Sequence, residues 1–320
     1  MSSHAEHFDG DLTKPFRILS LDGGGAKGFY TIGVLEQVEM MMGRRLCDCF
    51  DLIYGTSTGS IIAALLALGR SVSEVHDLYK KHVPPILSHW TKSGRSAELR
   101  KTANVVFEDR TFVGLETDLA VVAARWVEER PMIFKSDVKL TYAGKDSFVP
   151  GFGCNIAAAV TASCSAYPFF QRHTVMTSTG HLIELFDGGY CANNPTAYGI
   201  TDATHGLGLP LDALRVLSVG VGIYPQPKIW HRHRIRYRPL ERLPSVKLLQ
   251  KALEVNTHTA EVQLNLIFGD AKRLRINESF QQPELATDLL EFDLKKLDLL
   301  HQHGGDSARK YEQRIKKLLI

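Results

Sequence analysis

The sequence lacks the features of membrane-spanning and secreted chains. It contains no run of about 18 apolar residues, so we predict no transmembrane helix. Its first residues, MSSHAEHFDGDLTKP, carry neither the basic start nor the apolar stretch of a signal peptide. We therefore expect a cytoplasmic protein that meets a membrane only at its surface.

Cysteine is scarce and poorly spaced for metal or disulfide chemistry. The chain has five cysteines, an odd number, and no CxxC pair, so neither a zinc site nor a disulfide framework is predicted. We expect buried free thiols in a reducing compartment, and neither a metal nor another cofactor. The five are Cys47, Cys49, Cys154, Cys164 and Cys191.

The chain also lacks a large excess of either charge. Its formal net charge is +3, whereas a domain-wide nucleic-acid binder is usually more basic, so we expect no nucleic acid polymer as a partner. The hydrophobic share of 44% and the charged share of 23% are ordinary for a globular protein. Disordered, collagen-like and coiled-coil classes are therefore excluded.

What the sequence does have is short apolar runs that alternate with helical segments. RILSL (17–21), FDLIY (50–54) and VLSVGVG (216–222) are typical of strands, and residues 29–42 and 61–69 are typical of helices. Strands that alternate with helices predict an α/β fold, a three-layer sandwich with a largely parallel central sheet.

The composition changes after residue 223, where a segment rich in Pro, Arg and His begins. We expect residues 1–223 to form the catalytic domain and residues 224–320 to form a helical C-terminal extension packed on it. Within the first domain, residues 71–130 are predicted to be mainly helical, and residues 131–135 to form a strand.

Gly55-Thr56-Ser57-Thr58-Gly59 is a G-x-S-x-G motif between a predicted strand and a predicted helix. This context is that of a nucleophile elbow, in which a tight turn exposes the serine hydroxyl and the helix directs N–H groups at a developing oxyanion. A plain turn is the alternative, since the motif alone also occurs by chance.

Residues 22–28, DGGGAKG, form a second glycine-rich turn after a strand and before a helix. One interpretation is a dinucleotide-binding loop of an oxidoreductase, because Gly23, Gly25 and Gly28 fit G-x-G-x-x-G. The other is an oxyanion hole, where bare backbone approaches a tetrahedral intermediate. A phosphate-binding P-loop is excluded, because no Lys-Ser/Thr pair closes the motif.

Asp187-Gly188-Gly189 ends a further predicted strand. A carboxylate held there can accept the proton of a serine hydroxyl, although an isolated Asp-Gly-Gly is more often a simple turn. A Ser-Asp-His triad that uses His205 is an alternative, but it leaves residues 22–28 unexplained.

Taken together, DGGGAKG, GTSTGS and DGGYCANNPT resemble, in this order, the motifs of the patatin-like phospholipase family, over roughly residues 16–223. The resemblance implies a metal-independent serine acyl hydrolase of phospholipids or lysophospholipids, which acts at the inner membrane surface through an acyl-enzyme. It implies Ser57 as nucleophile and Asp187 as base. The surrounding residues that it implies are Gly55 and Gly59 in the elbow, Gly188 and Gly189 in the base motif, and Gly23, Gly24, Gly25, Ala26, Lys27, Gly28 and Thr58 in the oxyanion hole.

A basic run, KIWHRHRIRYR, occupies residues 228–238. In an extended segment Arg232, Arg234, Arg236 and Arg238 share one face, which suits an anionic ligand or membrane as well as a merely solvated edge strand. Some bacterial patatin-like phospholipases of this size are activated by cyclic nucleotides in phage defence, and the chain resembles them in its basic extension. An inactive patatin-like module that binds a membrane or a partner remains an alternative.

Overall fold

A computed structural model describes residues 14–142, 144–225, 244–268 and 272–320. Its centre is one eight-stranded sheet with helices on both faces. The strands are β1 (Phe16–Leu21), β2 (Leu52–Thr56), β3 (Asp118–Arg125), β4 (Arg130–Lys135), β5 (His173–Met176), β6 (Leu182–Asp187), β7 (Leu214–Val219) and β8 (Arg273–Ile276). The helices are α1 (Gly28–Met42), α2 (Thr58–Ala67), α3 (Val72–Ser88), α4 (Lys92–Phe107), α5 (Ile156–Ser163), α6 (Gly189–Ala192), α7 (Thr196–Thr201), α8 (Pro244–Phe268), α9 (Leu294–Lys310) and α10 (Glu312–Leu319).

Five strands form the parallel part of the sheet, in the order β3-β2-β1-β7-β8. Strands β4, β5 and β6 add antiparallel pairs at the β3 end. The predicted three-layer fold with a largely parallel sheet is confirmed. The antiparallel end was not predicted, because pairing direction leaves no mark in a single strand's sequence.

Strand β3 was predicted wrongly, as part of a mainly helical stretch over residues 71–130. Its apolar run, LAVVAA, is rich in alanine, which favours helices. All of that run is buried, and a strand covered on both faces reads as a continuous apolar run without alternation. Tertiary burial here overrides local propensity.

Two hydrophobic layers cover the sheet. Helices α1 to α5, α9 and α10 contribute to the layer on one face. Helices α6, α7 and α8 contribute to the smaller layer on the other face. Helix α2 is buried along almost its whole length, as its apolar sequence predicted.

The C-terminal region packs closely on the first half of α1. A Cβ on Gly33 would lie 2.0 Å from the His301 carbonyl oxygen, and one on Gly304 would lie 2.1 Å from that of Tyr30. Glycine therefore allows α1 and α9 to cross at short range, and it explains why the start of α1 is buried on all sides.

The region after residue 223 is mostly helical, as expected, but it also supplies β8 to the central sheet. The boundary at residue 223 stays a prediction. In the part of the chain that the structure describes, no helix combines the length and apolar character that crossing a bilayer requires.

Candidate active site

Ser57 lies in the sharp turn between β2 and α2. Its backbone has φ 51° and ψ −126°, a conformation that a side-chain-bearing residue adopts only when its surroundings impose it. The Ser57 N–H donates to Ser163 Oγ at 2.8 Å, which fixes the turn from the α5 side. The strand, strained turn and helix are the geometry of a nucleophile elbow.

The two elbow glycines are required by close backbone contacts. A Cβ on Gly55 would lie 2.5 Å from the Gly59 carbonyl oxygen. A Cβ on Gly59 would lie 2.5 Å from the carbonyl oxygens of Leu21 and Asp22. The elbow therefore packs directly against the end of β1, which brings the glycine-rich turn at residues 22–28 beside Ser57.

Strand β3 determines where Asp187 meets Ser57. One edge of β3 pairs with β4 along its length, so β2 and β6 share the other edge. On that edge Thr56, the last residue of β2, pairs with Val122, and Asp187, the last residue of β6, pairs with Ala123. The two strands run toward each other and end at adjacent positions of β3.

The Ser57 hydroxyl accordingly donates to Asp187 Oδ2 at 2.6 Å. The other carboxylate oxygen, Oδ1, accepts the Gly189 N–H at 2.7 Å. Burial raises the pKa of Asp187 to about 6, while the bonds from Ser57 and Gly189 oppose the rise. The carboxyl is therefore mostly ionised at pH 7 and still basic enough to take a proton.

The glycine-rich turn is anchored at its first residue. Asp22 is buried and forms a bidentate ion pair with Arg275 of β8, with N–O distances of 2.8 and 2.6 Å. Arg275 Nε also lies 3.6 Å from Oε2 of Glu261 in α8. Burial raises the pKa of Asp22, and the guanidinium opposes this shift. The C-terminal region thus helps to hold the turn in place.

The N–H groups of the turn differ in their partners. Gly23 donates to the Asn193 carbonyl oxygen, Gly24 to Thr58 Oγ1 at 3.2 Å, and Ala26 to the Leu289 carbonyl oxygen. Lys27 donates to the Gly24 carbonyl oxygen, and Gly28 begins α1. Among the described residues, the N–H groups of Gly25 and Thr58 donate to no acceptor. These two N–H groups are therefore free to donate to a new acceptor.

Residues that the sequence did not indicate support this turn. Tyr79 of α3 donates to the Gly25 carbonyl oxygen at 2.8 Å, and a Cβ on Gly28 would lie 2.3 Å from the Tyr79 hydroxyl oxygen. Asn193 Oδ1 would lie 2.6 Å from a Cβ on Gly23. Asn193 belongs to the DGGYCANNPT motif, so the sequence could have indicated it. Nothing in the sequence indicated Tyr79, because a tyrosine on an amphipathic helix is normally a residue of the hydrophobic core.

Ser57 and Asp187 open into a cavity of about 330 Å³. One part of its lining is apolar and comes from α2, α3, α4 and the segment after α5. These residues are Ile61, Val83, Ile86, Leu87, Leu99, Phe169 and Phe170. A more polar part comes from α8 and includes Glu254, Thr257 and His258. The cavity can accept a molecule with a long apolar part and a polar part.

Lys27 and Cys164 also line the cavity. Burial lowers the pKa of Lys27, and the carboxylates of Glu254 and Asp288 oppose that shift. The five cysteines form no disulfide in the structure; four are buried, whereas Cys191 is partly exposed, and burial raises the pKa of Cys164. A thiol with a raised pKa is a poor nucleophile at neutral pH, so Ser57 has no competitor in Cys164.

His205, the residue of the alternative triad, is not brought to this site. His205 lies beside Tyr142, with ring centroids 6.4 Å apart, and does not line the cavity, so it cannot complete a triad. Arg232, Arg234, Arg236 and Arg238 lie outside the described residues, and their role as an anionic-ligand or membrane site stays a prediction.

Comparison with known proteins bears on the same residues. A family model described as patatin-like phospholipase matches residues 19–200, which is more than half of the chain. The chain is 49% identical over 304 residues to a cUMP-AMP-activated phospholipase of Escherichia coli, covering 95% of this chain and 94% of that protein. It is 28% identical over 235 residues to a cGAMP-activated phospholipase of Vibrio cholerae, covering 66% of this chain and 64% of that protein.

The fold has a counterpart among solved structures. VipD from Legionella pneumophila superposes with a TM-score of 0.51 at 12% identity, over 94% of this chain and 67% of that one, a likeness in fold alone. The family match does not favour the oxidoreductase alternative, in which residues 22–28 are a dinucleotide-binding loop. Because the model spans all three motifs and a full-length relative shares half of its residues, the chain belongs to the patatin-like phospholipase family and is a lipid acyl hydrolase.

Proposed function

We propose that Ser57 and Asp187 are the catalytic dyad of this hydrolase. The observation that carries the proposal is the 2.6 Å hydrogen bond from Ser57 Oγ to Asp187 Oδ2 at a cavity lined partly by apolar side chains. A nucleophile needs a base within hydrogen-bond reach, and a base works best when its pKa lies near the operating pH. Burial brings the pKa of Asp187 to about 6, which meets that condition.

The reaction proceeds in two proton-balanced halves. Ser57 Oγ attacks the ester carbonyl carbon while its proton moves to Asp187. The tetrahedral intermediate then expels the alcohol, which takes the proton from Asp187 and leaves an acyl-Ser57. A water molecule attacks this ester, gives its proton to Asp187, and the fatty acid departs as Ser57 regains a proton.

The oxyanion is stabilised by the glycine-rich turn and the start of α2. The N–H groups of Gly25 and Thr58 bind the oxygen, and that of Gly24 joins them when the Thr58 side chain turns away. The other residues of the oxyanion-hole prediction, Gly23, Ala26, Lys27 and Gly28, hold the backbone of the turn in position. Losing one such donor costs about 3 kcal/mol, or about a hundredfold in rate.

The substrate is an acyl ester of a phospholipid or lysophospholipid at a membrane surface. The apolar part of the cavity takes the acyl chain, since its lining offers no hydrogen-bonding partner to a polar head group. The enzyme is cytoplasmic and associates with the inner membrane when it is active.

A cyclic dinucleotide activates the enzyme, and the setting is antiviral defence. The support comes from two relatives, which are named for activation by cUMP-AMP and by cGAMP. The 49% identity extends over 95% of this chain and therefore includes the C-terminal region.

Purified protein incubated with phospholipid vesicles, with and without cUMP-AMP or cGAMP, tests this proposal. We expect fatty acid release that rises with one of the dinucleotides and is lost in Ser57→Ala. Equal release by wild type and Ser57→Ala would refute the dyad. If neither dinucleotide raises the release of fatty acid, the proposed activation is refuted but the dyad is not.

A further inference from the structure

An aromatic cluster lies at the antiparallel end of the sheet. The Trp126 ring lies 5.6 Å from that of Tyr167 and 5.3 Å from that of Phe186, between centroids. Phe186 in turn lies 4.6 Å from Tyr190. Trp126 and Tyr167 are each more than one third exposed. Two of these four neighbouring rings are therefore partly open to solvent.

Two cations lie over these rings. The Arg172 guanidinium is 4.4 Å from the centroid of Trp126, and Lys92 Nζ is 5.5 Å from that of Tyr167. Arg172 also pairs with Glu184 at 3.1 Å. Exposed Trp and Tyr rings with Arg and Lys beside them are the side chains that settle at the level of lipid head groups.

The exposed apolar surface continues along the edge strands. Met176 of β5 pairs with Leu182 of β6, and the two are 54% and 68% exposed. They share a face with Phe186, whereas Val175 and Leu185 on the opposite face are buried beneath α5. The cluster and these two residues together form one face, which we call the aromatic face.

The aromatic face adjoins the catalytic cavity. Tyr167 and Tyr190 belong to the cluster and also line the cavity that contains Ser57. Asp187 follows Phe186 in β6 and points to the other face of the sheet, so Tyr167 and Tyr190 are the contact between the aromatic face and the cavity.

We propose that the aromatic face docks on a phospholipid bilayer and presents the cavity mouth to it. This inference rests on the proposed lipid substrate. Glu184 pairs with Arg172 and Glu128 with Arg125, so ring insertion rather than net charge attracts the face to the bilayer. Binding should therefore occur on zwitterionic vesicles and depend little on salt.

Sedimentation with phosphatidylcholine vesicles tests the docking, with Ser57→Ala present in every variant so that no lipid is consumed. We expect Trp126→Ala to lower the vesicle–water partition coefficient about tenfold, because it removes a partly exposed ring. Trp126→Phe keeps an aromatic ring and should retain most of the binding. Met40→Ala is the matched control, since Met40 is an apolar residue, 70% exposed, at the far end of α1. Thermal unfolding checks that each variant is folded.

A second measurement does not depend on removing the ring. With Trp90 and Trp230 replaced by phenylalanine, Trp126 is the only tryptophan, because the chain has three. We expect brominated phosphatidylcholine to quench its fluorescence. Unchanged partitioning of Trp126→Ala, or an unquenched Trp126 on bound protein, overturns the inference and leaves the dyad untouched. If the chain with Ser57 intact docks normally but releases no fatty acid, with or without a cyclic dinucleotide, the proposed function is refuted instead.

Discussion

The molecule contains two Asp-Gly-Gly turns, both at the carboxyl ends of strands in the same sheet, and they have opposite electrostatic surroundings. Asp22 follows β1 and is neutralised by a bidentate ion pair with Arg275. Asp187 ends β6, and its partners are a serine hydroxyl and a backbone N–H, neither of them charged. An identical tripeptide thus anchors a loop in one place and presents a basic carboxylate in the other.

The difference teaches that the partner, and not the motif, assigns the role. Burial raises the pKa of both carboxyls, but the groups that oppose the rise differ. At Asp22 a guanidinium opposes it and ties the carboxylate into the structure, whereas at Asp187 only uncharged donors do, which suits that carboxylate to act as a base. The two turns are brought together because Gly59 of the elbow packs on the end of β1 while β3 aligns the ends of β2 and β6.

The largest expected effect is that of Asp187→Asn. The amide cannot accept the Ser57 proton, so we expect hydrolysis of a soluble ester to fall by about 10²–10⁴-fold. The free energy of unfolding should stay equal or rise at pH 8, because a buried, uncompensated charge is removed. Initial rates and urea denaturation of the same preparations measure both. Activity within a fewfold of wild type would move the base to another residue.

Asp22→Asn, in contrast, should chiefly lower the free energy of unfolding. It leaves the Arg275 guanidinium buried without its main partner, a change that typically costs about 3–5 kcal/mol. Urea denaturation measures the loss. Asp298→Asn is the control, because it breaks an exposed 2.7 Å ion pair with Lys80 and should cost less than about 1 kcal/mol. Equal costs for the two variants would contradict the anchoring role.

Alanine at the first glycine of each turn sharpens the contrast. A Cβ at Gly188 would lie 2.1 Å from the Val122 carbonyl oxygen of β3, so we expect a loss of about 1–3 kcal/mol in unfolding free energy. At Gly23 the two nearest atoms to the Cβ would belong to side chains, Asn193 Oδ1 at 2.6 Å and Ser57 Cβ at 2.9 Å, with the Thr56 carbonyl oxygen at 3.2 Å. Gly23→Ala should therefore lose more activity than stability, and the reverse ranking would show that the clashes are misassigned.

The smallest expected effect is that of pH. The dyad needs ionised Asp187, and burial raises the pKa of that carboxyl to about 6. The value of kcat/KM for a soluble ester should be level above about pH 7 and fall about tenfold for each pH unit below 6. An exposed aspartate would instead keep the rate level down to about pH 4. The residual activity of Asp187→Asn should not show this fall in kcat/KM below pH 6.

The sequence was sufficient for the fold class and for the residues that meet at the site. The strand–turn–helix context of Ser57 and the glycines around it are local features, and local features survive in a single sequence. Only the family resemblance predicted that Ser57 and Asp187, which lie 130 residues apart, belong to one site. Their contact depends on β3, whose alanine-rich run reads as helix.

The supports of the site were the least predictable part. Tyr79, Ser163 and Arg275 act through contacts with distant backbone or with Asp22, and nothing in their neighbouring residues signals this. Strand β8 was also missed, but for a different reason from β3. Only four residues long, it becomes a strand by pairing with β7. Long-range pairing is a property of the folded chain.

The rate at which a fluorophosphonate probe modifies the protein, with the modified residue identified by peptide mass spectrometry, tests the dyad most directly. Carried out with and without cUMP-AMP, it should place the adduct on Ser57, give none in Ser57→Ala, and slow at least about a hundredfold in Asp187→Asn. An adduct on another residue, or an equal rate without the carboxylate, would contradict the account.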